Sequence, residues 1–259
     1  MRRTLALLVA TLSALLACQL SATAAPARSL ADVAGCQSNK RPVVLLHGTF
    51  KKSGWSWGNL APELARTGYC SYTLDYGNGG LNPVADSAAE LARYVDQVRA
   101  SSGWSTVDIV GYSQGGMMPR YYLKFLGGAA KVNALIGIAP SNHGTTQPLA
   151  KLLGATFCPA CGDQAANSAF IRRLNEGGDL AGAVRYTTIT TRYDEVVTPF
   201  ASQHLAGPAN RVTNVVLQDA CPANLSEHLY IPHSSATIKW VLNALGRGGL
   251  ADPRYRPCG

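Results

Sequence analysis

Residues 107–116 read Val107-Asp108-Ile109-Val110-Gly111-Tyr112-Ser113-Gln114-Gly115-Gly116, an apolar run that ends in G-x-S-x-G. The run predicts a buried strand. The motif predicts a sharp strand-to-helix turn with the Ser113 hydroxyl exposed at its tip. Glycines at 111 and 115 remove side chains that such a turn would clash with. Met117-Met118-Pro119-Arg120-Tyr121-Tyr122-Leu123 then reads as a helix, so strand, turn and helix stand in the required order. A Gly-rich loop produces the bare motif by chance; the flanking strand and helix set this one apart.

Working outward, residues 42–46 form a continuous apolar run and read as a second buried strand. A helix is expected over 57–66, stopping at Gly68. Strands are expected over 70–75, 132–138, 184–191 and 212–217. Ala88, Leu91, Ala92, Val95 and Val98 recur at helical spacing behind Asp86 and Ser87, and residues 238–242 lie in a closing helix. Strands alternating with helices imply an α/β fold, a mainly parallel central sheet with helices on both faces. Ligands of such sheets meet the loops at the carboxyl ends of the strands. The long stretch 142–179 is expected to fold as short helices over that end.

The 259 residues are 47% hydrophobic and only 15% charged, which suits a globular core and excludes a disordered chain. No repeat or low-complexity linker interrupts the chain, so one domain is expected over residues 26–259. Ahead of it, Arg2 and Arg3 precede an apolar run over 5–16 and the small-residue sites Ala22-Thr23-Ala24 and Ala25-Pro26-Ala27. This is the pattern of a cleaved secretory signal peptide over 1–25, and the run is short for a membrane span. Leu15-Leu16-Ala17-Cys18 also offers lipoprotein processing at Cys18, although Leu16 fits that signal poorly.

Cleavage after residue 25 leaves six of the seven cysteines, an even number that implies disulfides in an exported protein. The expected pairs are Cys36–Cys70, Cys158–Cys161 and Cys221–Cys258. Closing a loop as long as the last contributes roughly 3–4 kcal/mol in the chain-entropy model. Cys158-Pro159-Ala160-Cys161 also has redox or zinc spacing. It lacks the second Cys pair or His cluster of a zinc site and a thioredoxin-like setting, so a structural staple is expected. The net charge of +8 is scattered, without a dense Lys/Arg block, which argues against nucleic-acid binding. It fits approach to anionic lipid or fatty acid and plain solubility equally well.

A serine hydroxyl needs a base, most often a histidine oriented by a buried carboxylate. In a fold of this kind the chain order is serine, acid, histidine. His47 comes too early, and His143 precedes any fitting acid. Of His204, His228 and His233, His228 follows the last strand and precedes the last helix; His233 is the alternative. Asp194 follows the strand over 184–191 and is the candidate acid, with Asp219 as its rival. Glu195 faces the other way, and Asp86, Glu90 and Asp96 read as solvated helix faces. The oxyanion requires backbone N–H donors, expected from Gln114 and from Thr49 in the loop His47-Gly48-Thr49-Phe50, with the Thr49 hydroxyl as a possible third.

These residues resemble the secreted bacterial class 2 triacylglycerol lipases from about residue 42 to 245. The marks are Leu46-His47-Gly48-Thr49-Phe50, Gly68-Tyr69-Cys70, Gly111-Tyr112-Ser113-Gln114-Gly115-Gly116 and Ala139-Pro140-Ser141-Asn142-His143-Gly144-Thr145-Thr146. They continue in Arg192-Tyr193-Asp194-Glu195-Val196-Val197-Thr198-Pro199 and Ser226-Glu227-His228-Leu229. The resemblance implies an α/β-hydrolase fold, a Ser113, Asp194 and His228 triad, and carboxylic ester hydrolysis without a cofactor. The Gly-Thr turn and Ser-Gln-Gly-Gly are also similar to fungal lipase B, which supports Thr49 and Gln114 as oxyanion donors. Two positions depart from the pattern. Tyr112 stands where histidine is common, which reads as a packing change. Tyr230 stands where glycine is common and is expected to narrow the pocket beside His228.

The expected protein is therefore a secreted, monomeric hydrolase of lipid or small-molecule esters, working at or near a lipid–water interface. An acyltransferase or a polyester or cutin hydrolase would use the same triad. A lipid-binding protein without activity would not need it.

Overall fold

The structure is a computed structural model that describes residues 36–258. The expected signal peptide over 1–25 and Cys18 lie outside the described residues. In chain order the main elements are β1 (Val43–Leu46), α1 (Ser53–Trp57), α2 (Leu60–Arg66), β2 (Ser71–Leu74), α3 (Val84–Ser102), β3 (Val107–Tyr112) and α4 (Gln114–Phe125). They continue with β4 (Val132–Ile138), α5 (Pro148–Gly154), α6 (Pro159–Asp163), α7 (Ala169–Asn175), β5 (Arg185–Thr190), β6 (Val212–Val216) and α8 (Ser235–Gly246).

The strands form one sheet in the order β2-β1-β3-β4-β5-β6, and every pair is parallel. Parallel pairing buries both faces, which is why β1 is apolar at every position. Its residues alternate between two cores, as a pleated strand requires. Val44 and Leu46 join a layer with Leu91, Val95 and Met117 from α3 and α4. Val43 and Leu45 join the opposite layer with Trp57, Leu64, Trp240 and Val241 from α1, α2 and α8. Strand order reverses between β1 and β3, because β2 lies to one side of β1 and all later strands to the other. That reversal opens a crevice beyond the carboxyl ends of β1 and β3.

The helix expected over 57–66 is two helices. Asp75 accepts hydrogen bonds from the Ser53 N–H at 2.8 Å and the Ser53 hydroxyl at 2.7 Å, so the first begins upstream of Trp57. Gly58 and Asn59, both poor helix formers, form the break. The stretch 142–179 contains the three short helices α5, α6 and α7. The cysteine pairs Cys36–Cys70, Cys158–Cys161 and Cys221–Cys258 are bonded, with Cα separations of 5.9, 5.3 and 5.4 Å. They tie the start of β2 to residue 36, staple α6, and fasten the loop after β6 to the stretch beyond α8. Among the described residues, no helix is long and apolar enough to cross a membrane.

Candidate active site

Ser113 sits between β3 and α4 with φ 54° and ψ −121°, a backbone region that L-residues with side chains rarely occupy. Its neighbours permit the turn. A Cβ on Gly111 would lie 1.8 Å from the Gly115 carbonyl oxygen, and one on Gly115 would lie 2.3 Å from the Leu46 carbonyl oxygen. The glycines therefore let the turn close on itself and press against the end of β1. That contact brings the start of α4 beside the loop His47-Gly48-Thr49.

Three distant side chains converge here. His228 Nε2 lies 3.1 Å from Ser113 Oγ, and His228 Nδ1 lies 2.8 Å from Asp194 Oδ2. Ser113, Asp194 and His228 are all buried. The Asp194 carboxylate also accepts from the Val196 and Val197 N–H groups at 2.9 and 2.7 Å and from Gln203 Nε2 at 2.8 Å. An ionised carboxylate only accepts, so the His228 Nδ1 carries the hydrogen that it shares with Asp194. Nε2 is then left with a lone pair facing the Ser113 hydroxyl. This geometry suits a base that takes the serine proton.

Gln114 is the first residue of α4, and the first N–H groups of a helix have no acceptor within it. Thr49 follows a loop fixed from beneath. His47 is fully buried, its ring stacks on Tyr76 at 4.3 Å, and its Nδ1 donates to the Gly48 carbonyl at 2.8 Å. The Tyr76 N–H donates to His47 Nε2 at 3.2 Å, so that nitrogen is an acceptor. Burial pushes the His47 pKa down, against the opposing pull of the Gly48 hydrogen bond and the Asp75 charge, which favours the neutral ring. Thr49, Gln164, Ser141 and Ser113 line a cavity of about 430 Å³, whose other walls include Leu149, Leu153, Val196, Val197 and Leu229. Of its lining residues Phe50, Leu149, Val196 and Leu229 are exposed, and the exposed Phe157 ring lies 6.2 Å from that of Phe50. Among the described residues, no three His, Cys, Asp or Glu side chains gather as a metal site.

The rivals weighed from sequence lie elsewhere. His233 packs edge-on against Trp55 at 4.5 Å, and His204 Nε2 lies 3.2 Å from the Thr190 hydroxyl. His143 pairs with Asp179. Asp219 pairs with Arg192 on the surface at 2.6 Å. Glu195 lines the cavity beside Val196, while the two His228 ring nitrogens are taken by Asp194 and Ser113.

Two expectations change. Tyr230 is 68% exposed and does not line the cavity; Leu229 occupies that wall instead. Tyr112 is more than packing, because its hydroxyl donates to the His228 carbonyl at 2.9 Å and its ring lies 5.2 Å from the imidazole. Gln203, which no motif marks, holds Asp194 through its Nε2. Neither role follows from a spacing rule, since each depends on how two separate loops meet.

Known proteins match this chain in family and in fold. The family model for class 2 lipases matches residues 40–240. Lipase B of Pseudozyma antarctica is 27% identical over 169 residues, which cover 64% of this chain and 49% of that protein. The crystal structure of Aspergillus fumigatus lipase B superposes with a TM-score of 0.76 at 27% identity, over 85% of this chain and 56% of that one. The mature form of Bacillus licheniformis lipase BlEst2 superposes with a TM-score of 0.64 at 16% identity, over 86% and 96% of the two chains. The parallel sheet with its serine turn is thus an α/β-hydrolase fold. The match over most of its length places the chain in the class 2 lipase family. It spans about half the length of the two lipases B it matches.

Proposed function

We propose that this protein is a serine hydrolase of carboxylic esters, acting on acylglycerols or related lipid esters. The observation that carries the proposal is the Ser113–His228–Asp194 chain of hydrogen bonds at 3.1 and 2.8 Å, opening onto a largely apolar cavity. Membership of the lipase family supports it.

In the proposed reaction, Ser113 Oγ attacks the ester carbonyl carbon while His228 Nε2 takes its proton. The carbonyl oxygen becomes an oxyanion held by the Thr49 and Gln114 N–H groups. The tetrahedral intermediate collapses, the carbon–alkoxy bond breaks, and His228 gives its proton to the leaving alcohol. Water repeats the sequence on the acyl-enzyme and releases the carboxylic acid. Asp194 orients the imidazole and stabilises its cationic form. Leu149, Leu153, Val196 and Val197 accommodate the acyl chain, and the exposed apolar rim faces a lipid–water interface. Three disulfides and the N-terminal leader pattern support secretion to an oxidising, extracellular setting.

A hydrolysis series from short nitrophenyl esters to emulsified long-chain triglycerides tests the reading, together with labelling by a phosphonate ester. Turnover and a covalent adduct on Ser113 are expected. Turnover that persists in Ser113→Ala would reject the mechanism.

A further inference from the structure

The Thr49 hydroxyl is held between two glutamines. It donates to Gln114 Oε1 at 2.7 Å and accepts from Gln164 Nε2 at 3.0 Å. Gln164 is itself anchored twice more. Its Nε2 donates to the Ala160 carbonyl at 3.1 Å, and its Oε1 accepts from the buried Ser141 hydroxyl at 2.8 Å. The side chain is buried at the end of α6, the helix stapled by Cys158 and Cys161, and it lines the same cavity as Ser113. On the other side, Gln114 Nε2 is buried and has no hydrogen-bond partner.

The donor and acceptor chemistry of these groups restricts what Thr49 can do. An amide nitrogen only donates and an amide oxygen only accepts. Because Ser141 occupies Gln164 Oε1, Gln164 presents an N–H to Thr49 and not a carbonyl. One lone pair of Thr49 Oγ1 is therefore filled, and its proton is available to a neighbour. In the resting arrangement that neighbour is Gln114 Oε1. Turning the Gln114 amide over would set Nε2 against Thr49 Oγ1 and give the unpartnered donor an acceptor. With both lone pairs of Oγ1 filled, the Thr49 proton would be directed to the cavity. Hydroxyls that accept in this way are also polarised into stronger donors.

We propose that Gln164 is a positioning residue for the oxyanion site, acting through Thr49 by fixing its hydroxyl as a donor to the developing negative charge. This rests on the ester-hydrolase reading. Beyond the Thr49 hydroxyl itself, control of that donor is thereby assigned to Gln164, a residue of the separate segment that carries α6. Gln114 then has two duties: its N–H faces the oxyanion, and its side chain holds the Thr49 proton until the charge develops.

The test is a cycle of Gln164→Met, Thr49→Val and the double variant, with kcat and KM measured on a soluble nitrophenyl ester. Methionine keeps the length and burial of Gln164 but removes the N–H. Thr49→Val should lower kcat about 100-fold, the scale of one oxyanion donor. Gln164→Met should lower kcat about tenfold with KM within about twofold, the mark of an interaction made in the transition state. The double variant should match Thr49→Val alone, because no hydroxyl is left to position. Gln164→Glu, which turns an acceptor and a negative charge toward Thr49, should be slower than Gln164→Met.

Unchanged kcat in Gln164→Met overturns the inference, and so does a double variant showing the product of the two single losses. Should Gln164→Met not fold, Ser141→Ala removes one of the two anchors of the Gln164 amide and leaves the Ala160 carbonyl in place. It should produce a smaller fall in kcat that disappears in the Thr49→Val background, and persistence there overturns the inference. Turnover indifferent to Ser113→Ala defeats the hydrolase reading and this inference with it. Turnover that needs Ser113 but ignores Gln164 defeats this inference alone.

Discussion

Two hydrogen-bonded His–Asp pairs stand among the described residues, and only one of them is part of a candidate active site. His228 Nδ1 meets Asp194 at 2.8 Å, and His143 Nε2 meets Asp179 at 3.0 Å. The residue types are the same and the distances nearly so. The difference lies in what the other ring nitrogen meets. For His228 it is the hydroxyl of Ser113, on a strained turn at the floor of an open cavity. For His143 it is the Ser202 backbone carbonyl at 2.8 Å, an acceptor with no proton to give. The carboxylates differ too. Asp194 is held by neutral N–H donors, whereas Asp179 also pairs with the fully buried Arg120 at 3.1 Å. A His–Asp pair is thus chemistry only where the imidazole has a nucleophile to serve; elsewhere it is a structural tie.

The comparison predicts opposite phenotypes on its two sides. The largest effect belongs to Ser113→Ala, expected to lower kcat about a millionfold and to abolish phosphonate labelling, with no loss of folding. Asp194→Asn follows, because an amide facing His228 Nδ1 favours the wrong tautomer; a fall of about 10,000-fold in kcat is expected. Both proteins should keep the wild-type denaturant midpoint within error. A large stability loss in Asp194→Asn with little kinetic change would make the two pairs alike and break the contrast.

Asp179→Ala should do the reverse. It leaves the Arg120 guanidinium buried without its counter-charge, a change that costs about 3–5 kcal/mol. Burial already pushes the Arg120 pKa down to about 10, against the pull of Asp179, and losing that partner removes the main compensation. Arg120 also donates to the Asn142 carbonyl at 2.9 Å and to Asn175 Oδ1 at 2.7 Å, so this cluster fastens both ends of the cover over the cavity to α4. Urea unfolding should show the loss, while kcat for the folded fraction changes little.

The sequence made the sheet legible because parallel strands buried on both faces are nearly all apolar, as in residues 43–46 and 107–110. Ser113 was legible because its turn demands Gly111 and Gly115 at fixed spacing. His228 and Asp194 were reached through chain order, which a fold of this kind imposes. What stayed hidden was the support for these groups. Gln203, Tyr112 and Gln164 each act across a junction of loops, at separations from Asp194, His228 and Thr49 that no periodicity encodes. Tyr230 was misplaced for the same reason. Adjacency to His228 in sequence says nothing about which way a side chain leaves a turn.

The smallest expected effect sharpens the contrast most, because it touches the mirror-image histidine. His143→Ala should leave kcat, KM and phosphonate labelling within about twofold of wild type, the tie being remote from the reacting atoms. Its signature is in acid. Burial pulls the Asp179 pKa up, but hydrogen bonds from His143 and the Ala206 N–H and the charge of Arg120 outweigh it and hold the carboxyl below its ordinary range. A depressed folded pKa stabilises the fold above the unfolded carboxylate pKa of about 3.9, and this is lost as pH falls through the folded value. Removing His143 should bring the two values closer, so the variant loses its advantage earlier as acid is added. Acid-unfolding curves should show a midpoint at higher pH in His143→Ala, and a smaller displacement in Asp179→Asn set against its own lower starting stability. An unchanged acid midpoint in His143→Ala would mean that Arg120 alone holds Asp179 in place. The second pair would then be an arginine–carboxylate tie with a histidine beside it.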